Sequence, residues 1–228
     1  TFDAVGTSTR AFGTLTLDIL GFVQATASFE FVQREVAVNV GPAAWDPDNT
    51  DLAVRDLEKA NLTTLWLDVS DLFAGVPDSI GISVESGRLG IATISAKPNS
   101  ITGLQDDTRK WTALTADLTN AEIEGLPAGL EVIIQSFTVA QASNGGLNPA
   151  TADPYLALDW TTQVGTFGTG FTADGGVTFG QSGREVTISF VGEKALEIGG
   201  ELTLKAFGFL VVEAQFEFTQ STVDVDVN

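Results

Sequence analysis

The chain has 228 residues, 30 of them acidic against 11 basic, for a formal net charge of −19 and a pI near 4.1, and it contains no Cys, His or Met. A surface of that sign repels nucleic-acid backbones and anionic lipid, with no Lys/Arg cluster as a local exception. The missing Cys excludes disulfides and thiolate metal sites, and no apolar run reaches the roughly 18 residues that a membrane-spanning helix needs.

From the N-terminus the apolar residues repeat every second position. Leu15, Leu17 and Ile19 alternate with Thr14, Thr16 and Asp18, and Ala27, Phe29 and Phe31 alternate with Ser28, Glu30 and Val32. This is the pattern of strands with one buried and one wet face. Gly21 sits inside the run, where glycine marks a bend or a close backbone approach. Next comes "WDPDNTDLAVRD", in which Asp46, Asp48 and Asp51 offer oxygen ligands in a short loop. Calcium accepts such irregular oxygen shells, so these three are the candidate Ca2+ site; the Gly and distal Glu of an EF-hand are absent. The competing assignment is a solvated turn in which Asp51 caps a helix over Asp51–Ala60, where Leu52, Val54 and Leu57 share a side.

Strand patterning resumes with Leu65, Leu67 and Val69. "QDDTRK", with Asp106 and Asp107, reads as an ion-paired surface turn, with a second calcium site as the alternative. "SNGGLNPATADP" carries Gly145 and Gly146 but lacks the Lys and following helix of a phosphate loop, which makes it an exposed connection. Trp66 and Trp160 lie within apolar alternations and belong to a core. Trp45 and Trp111 are flanked by charge and, with Tyr155, are the candidates for a sugar-stacking platform. Val186, Ile188 and Phe190, then Phe216 and Phe218, complete about ten strands with few helices. Without His there is no usual general base, and "ISVESG" around Ser86 has no partner to activate it, so no enzyme is expected.

The chain also repeats itself. Gly13–Val40 aligns without a gap to Gly200–Val227, 187 residues on, with identical partners for Leu15, Thr16, Leu17, Gly21, Phe22, Ala27, Phe29, Glu30, Phe31, Gln33, Val36 and Val38. The expected organisation is one β-rich repeat unit over 1–199 and the opening strands of the next, or strands that pair with a neighbour, over 200–228. The expected fold is all-β: an elongated roll of bent strands, solenoid-like, or else an antiparallel sandwich. Its interior would hold Leu15, Leu17, Ile19, Phe29, Phe31, Leu65, Leu67, Leu202, Leu204, Phe216 and Phe218.

The stretches "LTLDILGFVQATASFEF", "ANLTTLWLDVSDLFAGV", "WTALTADLTNAEIEGLPAGLEVIIQSFTVAQAS", "LALDWTTQVG" and "GGELTLKAFGFLVVEAQFEF" resemble, in pattern and order, the tandem-repeat regions of giant bacterial secreted and surface proteins of the adhesin or matrix type. The resemblance implies an extracellular, modular role at the cell surface, with adjacent repeats or identical subunits as partners and, in an adhesin variant, surface glycans. It implies no active site.

Overall fold

The computed structural model describes residues 8–40, 45–48, 55–77, 79–97, 107–143, 145–147, 155–167, 170–191 and 194–220, and among them there are twelve strands and no helix. β1 (Thr9–Ile19) and β2 (Val23–Val38) form an antiparallel hairpin. β3 (Leu57–Gly75), β4 (Gly81–Ala96), β5 (Lys110–Glu124) and β6 (Leu130–Ala142) then join it in chain order, each antiparallel to the last. β7 (Val164–Phe167) and β8 (Phe171–Ala173) attach to the far end of β2, and β9 (Val177–Phe179) with β10 (Val186–Ile188) makes a separate small hairpin. The chain returns to pair β11 (Lys194–Ala206) with β6, and β12 (Leu210–Gln220) ends the sheet. The long strands therefore run β1-β2-β3-β4-β5-β6-β11-β12 across one antiparallel sheet that curls into a half-barrel. The all-β, curled architecture agrees with the alternation in the sequence.

The bends lie elsewhere than at Gly21. Leu20 and Gly21 have φ of 53° and 74° and reverse the chain: the amide of Phe22 donates to Ile19 O at 2.9 Å. A turn with both central φ positive matches the natural twist of a hairpin, and Phe22 completes the three-residue connection before Val23 pairs with Ile19. Gly21 thus separates two strands and does not bend one. The sheet itself is kinked at Asp71 and Asn120, whose φ values are 54° and 53°. Asp71, Glu85, Asn120 and Gln135 fall out of the pairing at one level of β3, β4, β5 and β6. Asp and Asn tolerate left-handed backbone better than other side chains, so the crease is written in residue type. Asn120 Nδ2 donates to Glu85 Oε2 at 2.6 Å along it.

The segment Asp51–Ala60 does not read as the expected helix where it is described: Leu57–Ala60 begins β3. Leu57 pairs with Val38, and Ala60 pairs with Val36 on one side and Ala96 on the other. Burial between two strands decides the matter over a short helical spacing.

The two faces of the sheet differ. One carries Phe29, Leu67, Leu89, Ala116, Val139 and Ile198 in a single cross-strand row. This is the face predicted as interior, yet its side chains are only half-buried, and Leu15, Leu17, Ile19, Phe216 and Phe218 are exposed. The fully buried core lies on the opposite face, away from the hairpin turns, and gathers Leu62, Trp66, Ala92, Ile94, Trp111, Ala113, Val177 and Ile188. The β9–β10 hairpin settles there over Gly90, where a Cβ would come within 2.4 Å of Val186 Cγ2. The turn at Asp159–Gln163 ties the cover down. Trp160 N donates to Phe190 O at 2.8 Å, Asn39 N to Gln163 O at 2.9 Å, and Gln163 Nε2 to Val40 O at 3.2 Å.

Candidate functional site

Of the three candidate calcium ligands, Asp51 lies outside the described residues, and Asp46 and Asp48 sit in a turn. Asp48 N donates to Asp46 Oδ1 at 3.2 Å, and Asp46 N donates to Asp56 Oδ2 at 2.6 Å. Asp56 is the buried carboxylate of this stretch; its Oδ1 also accepts from Val40 N at 2.7 Å. It ties Asp46 to Val40 just past the end of β2, a role that the sequence pattern does not signal. Among the described residues no three acidic side chains converge as a cation cage requires.

The aromatic residues separate similarly. Trp66, Trp111 and Trp160 are wholly buried, so Trp111 is a core residue and not part of an exposed platform. Its Nε1 donates to Leu156 O at 3.0 Å, as Trp66 Nε1 does to Arg184 O at 3.0 Å. Tyr155 is buried as well, and Trp45 stacks on Phe171 at 5.2 Å. Gly145 is no exposed loop residue either: a Cβ there would come within 2.8 Å of the Trp111 indole. Asp107 forms a buried pair with Arg109 in place of a surface bridge, Nη2 to Oδ2 at 2.8 Å. Asp106 lies outside the described residues.

The feature that stands apart from a packed core is the pair of sheet edges. β1 and β12 are the outermost long strands, and among the described residues each pairs with one strand alone. Both are eleven residues long, free of Pro and rich in exposed apolar side chains. Such an edge is a template for another strand unless it is covered.

The two hairpins that carry these edges are the same object. Gly13 faces Phe29, and Gly200 faces Phe216; Ile19 faces Val23, and Ala206 faces Leu210. Every pair from the first hairpin recurs in the second at the sequence offset seen above. The turns agree too, with φ of 53° and 73° at Phe207 and Gly208. They differ in which strand is outermost: among the described residues β1 is free and β2 is covered by β3, whereas β11 is covered by β6 and its partner β12 is free. A stagger accompanies the repeat. Following pairs straight across the sheet from Gly13 leads to Ile198, two residues short of Gly200.

Neighbours account for the contrast in burial. Phe29 and Phe31, opposite Leu67 and Leu65 of β3, are half-buried, whereas Phe216 and Phe218, the same residues in the second hairpin, are 38% and 53% exposed. No family profile, curated protein or solved structure matches this chain.

Proposed function

We propose that this chain is a structural repeat of a large extracellular bacterial surface, matrix or filament protein, and that units join end to end through β-strand pairing. One observation carries the reading: a single hairpin, identical in register and turn, stands at both ends of the sheet with opposite strands left open. Each end thus presents an edge that is already covered in the other copy of the hairpin. Ladder hydrogen bonds and an apolar face continuous over the strands would carry load from one unit to the next. Placement at the cell surface draws on the resemblance to secreted repeat proteins and on a chain without thiols.

The test is assembly. Sedimentation velocity and negative-stain imaging of the purified chain should show concentration-dependent linear oligomers. Leu17→Lys together with Phe218→Lys, which puts charge on both edges, should return it to monomers. A chain that stays monomeric at every concentration overturns the reading.

A further inference from the structure

We infer that the free edge of β12 is a slot for β3 of another unit, and that in separate chains its occupant is β3 of a second copy, held in the register that β2 uses. The inference rests on the repeat reading above and adds the identity of the partner strand and its alignment. β12 corresponds to β2 residue for residue, and β2 shows what that edge accepts. It pairs with β3 from Thr26 opposite Ser70 to Val36 opposite Ala60, including Phe29 opposite Leu67 and Gln33 opposite Thr63. Carried over to β12, Phe216 meets Leu67 of the second copy, and Gln220 meets its Thr63.

Three observations favour this occupant over an arbitrary strand. The apolar residues of β12 face the same side of the sheet as those of β2, since Gly200 and Ile198 lie on the face that holds Gly13. An incoming β3 would therefore extend the apolar face without inversion; a register slip of one residue would turn every side chain over. Second, Phe216 and Phe218 are exposed, whereas their counterparts Phe29 and Phe31, which have β3 beside them, are half-buried. Third, the sequence match runs on past β12. Val223, Val225 and Val227 stand at the positions of Val36, Val38 and Val40, which in β2 are buried at 3%, 0% and 2% beside Leu57 and Leu62 of β3.

In a second copy β3 is already held by its own β2, so joining two chains proceeds by exchange. The β11–β12 hairpin of one copy takes the place of β1–β2 in the other, and the β2–β3 ladder that is broken is replaced by a β12–β3 ladder in the same register. The released hairpin keeps the β6-accepting edge of β1 and can enter the matching place in a further copy.

The natural chain has no Cys, so cysteine pairs report register cleanly. In one chain β12 and β3 are separated by β11, β6, β5 and β4, and a bridge between positions 220 and 63 joins two copies. The full chain carrying Gln220→Cys and Thr63→Cys is unfolded, refolded at low and high protein concentration, oxidised, and run on non-reducing gels beside sedimentation velocity. Gln33→Cys with Thr63→Cys is the internal standard, expected to close within one chain. The expected result is a ladder of covalent oligomers that grows with refolding concentration. Single-cysteine variants stop at dimers, and Gln220→Cys with Asn61→Cys, two residues out of register, yields several-fold less. Oligomers without the 220–63 bridge overturn the β3 assignment while leaving strand-paired assembly standing. Monomers throughout, with the 33–63 standard closed, overturn both.

Discussion

Gly180 lies against the indole of Trp66, so close that a Cβ on it would come within 2.8 Å of the ring's Cδ1 and Nε1. Its φ of 116° is also one that only glycine adopts without strain. Trp66 is wholly buried and donates to the carbonyl of Arg184 from the same loop. The contact thus fastens the β9–β10 cover to the sheet. Gly180→Ala should lower stability by about 2 kcal/mol or more, read as a fall in thermal midpoint. Gly183→Ala, where nothing lies within 4 Å of a Cβ, carries only the backbone strain of its φ of 84° and should cost less.

Arg109 is a wholly buried cation. Its Nε and Nη2 reach Asp107 at 3.0 and 2.8 Å, its Nη1 donates to Arg55 O at 2.7 Å, and its guanidinium stands 5.9 Å from the Trp111 ring centroid and 5.8 Å from that of Tyr155. Removing one member of a buried ion pair strands the other. Arg109→Met should therefore cost about 3–5 kcal/mol in urea titrations. Adding Asp107→Asn should recover part of that loss. Equal stability of the single and double variants would show that the charge on Asp107 is not what makes the change costly.

The crease in the sheet makes a prediction about residue type. Asn120 holds left-handed backbone within β5 and bonds to Glu85. Asn120→Val should destabilise by about 1–2 kcal/mol through backbone strain. Asn120→Gly keeps the conformation and should lose less. Matching losses in chemical denaturation for the two would place the cost in the bond to Glu85 and not in φ.

Asp159 fixes the acid response of the covering turn. Burial raises its pKa, but the Thr162 hydroxyl and the amides of Thr161 and Thr162 outweigh burial and hold the carboxyl below its ordinary value. A carboxyl depressed in the folded state adds stability above its unfolded pKa, about 3.9, and loses it as pH falls through the folded value. Asp159→Asn should lower stability at neutral pH and flatten the stability profile below about pH 4. Thr162→Val should raise the Asp159 pKa, observable by carboxyl NMR. Glu35, lowered by its bond to Lys97, is an internal reference that neither change should move.

Period-two alternation located the strands because side-chain direction in a strand depends on the local backbone alone. The same alternation could not say which face would be sealed. On β3 the apolar Leu65, Leu67 and Val69 remain half-buried, whereas Leu62, Thr64, Trp66 and Asp68 on the other side are buried. That outcome depends on where β9, β10 and the Asp159 turn land, a long-range event with no local sign. Trp111 misled for the same reason: its neighbours Arg109 and Lys110 suggest a surface, but Arg109 is neutralised inside by Asp107. The doubled hairpin was legible because a repeat compares the chain with itself. Its placement at two opposite edges was not, since strand order across a sheet is set by the return of β11 to β6.

The two-residue offset accumulated between the hairpins governs what a series of such units can become. Across six inter-strand spacings of about 4.8 Å, two residues of about 3.4 Å tilt the strands by only about 13° from the normal to the ribbon's path, whereas strands of closed barrels incline by about 35–45°. A sheet so little sheared has no comfortable way to bring its last strand round to its first. Six antiparallel steps, an even number, also return the chain direction unchanged, so in a series one screw operation would relate each unit to the next. The product would be an open ribbon wound about an axis, polar from end to end, with growth at its two tips governed by different strands.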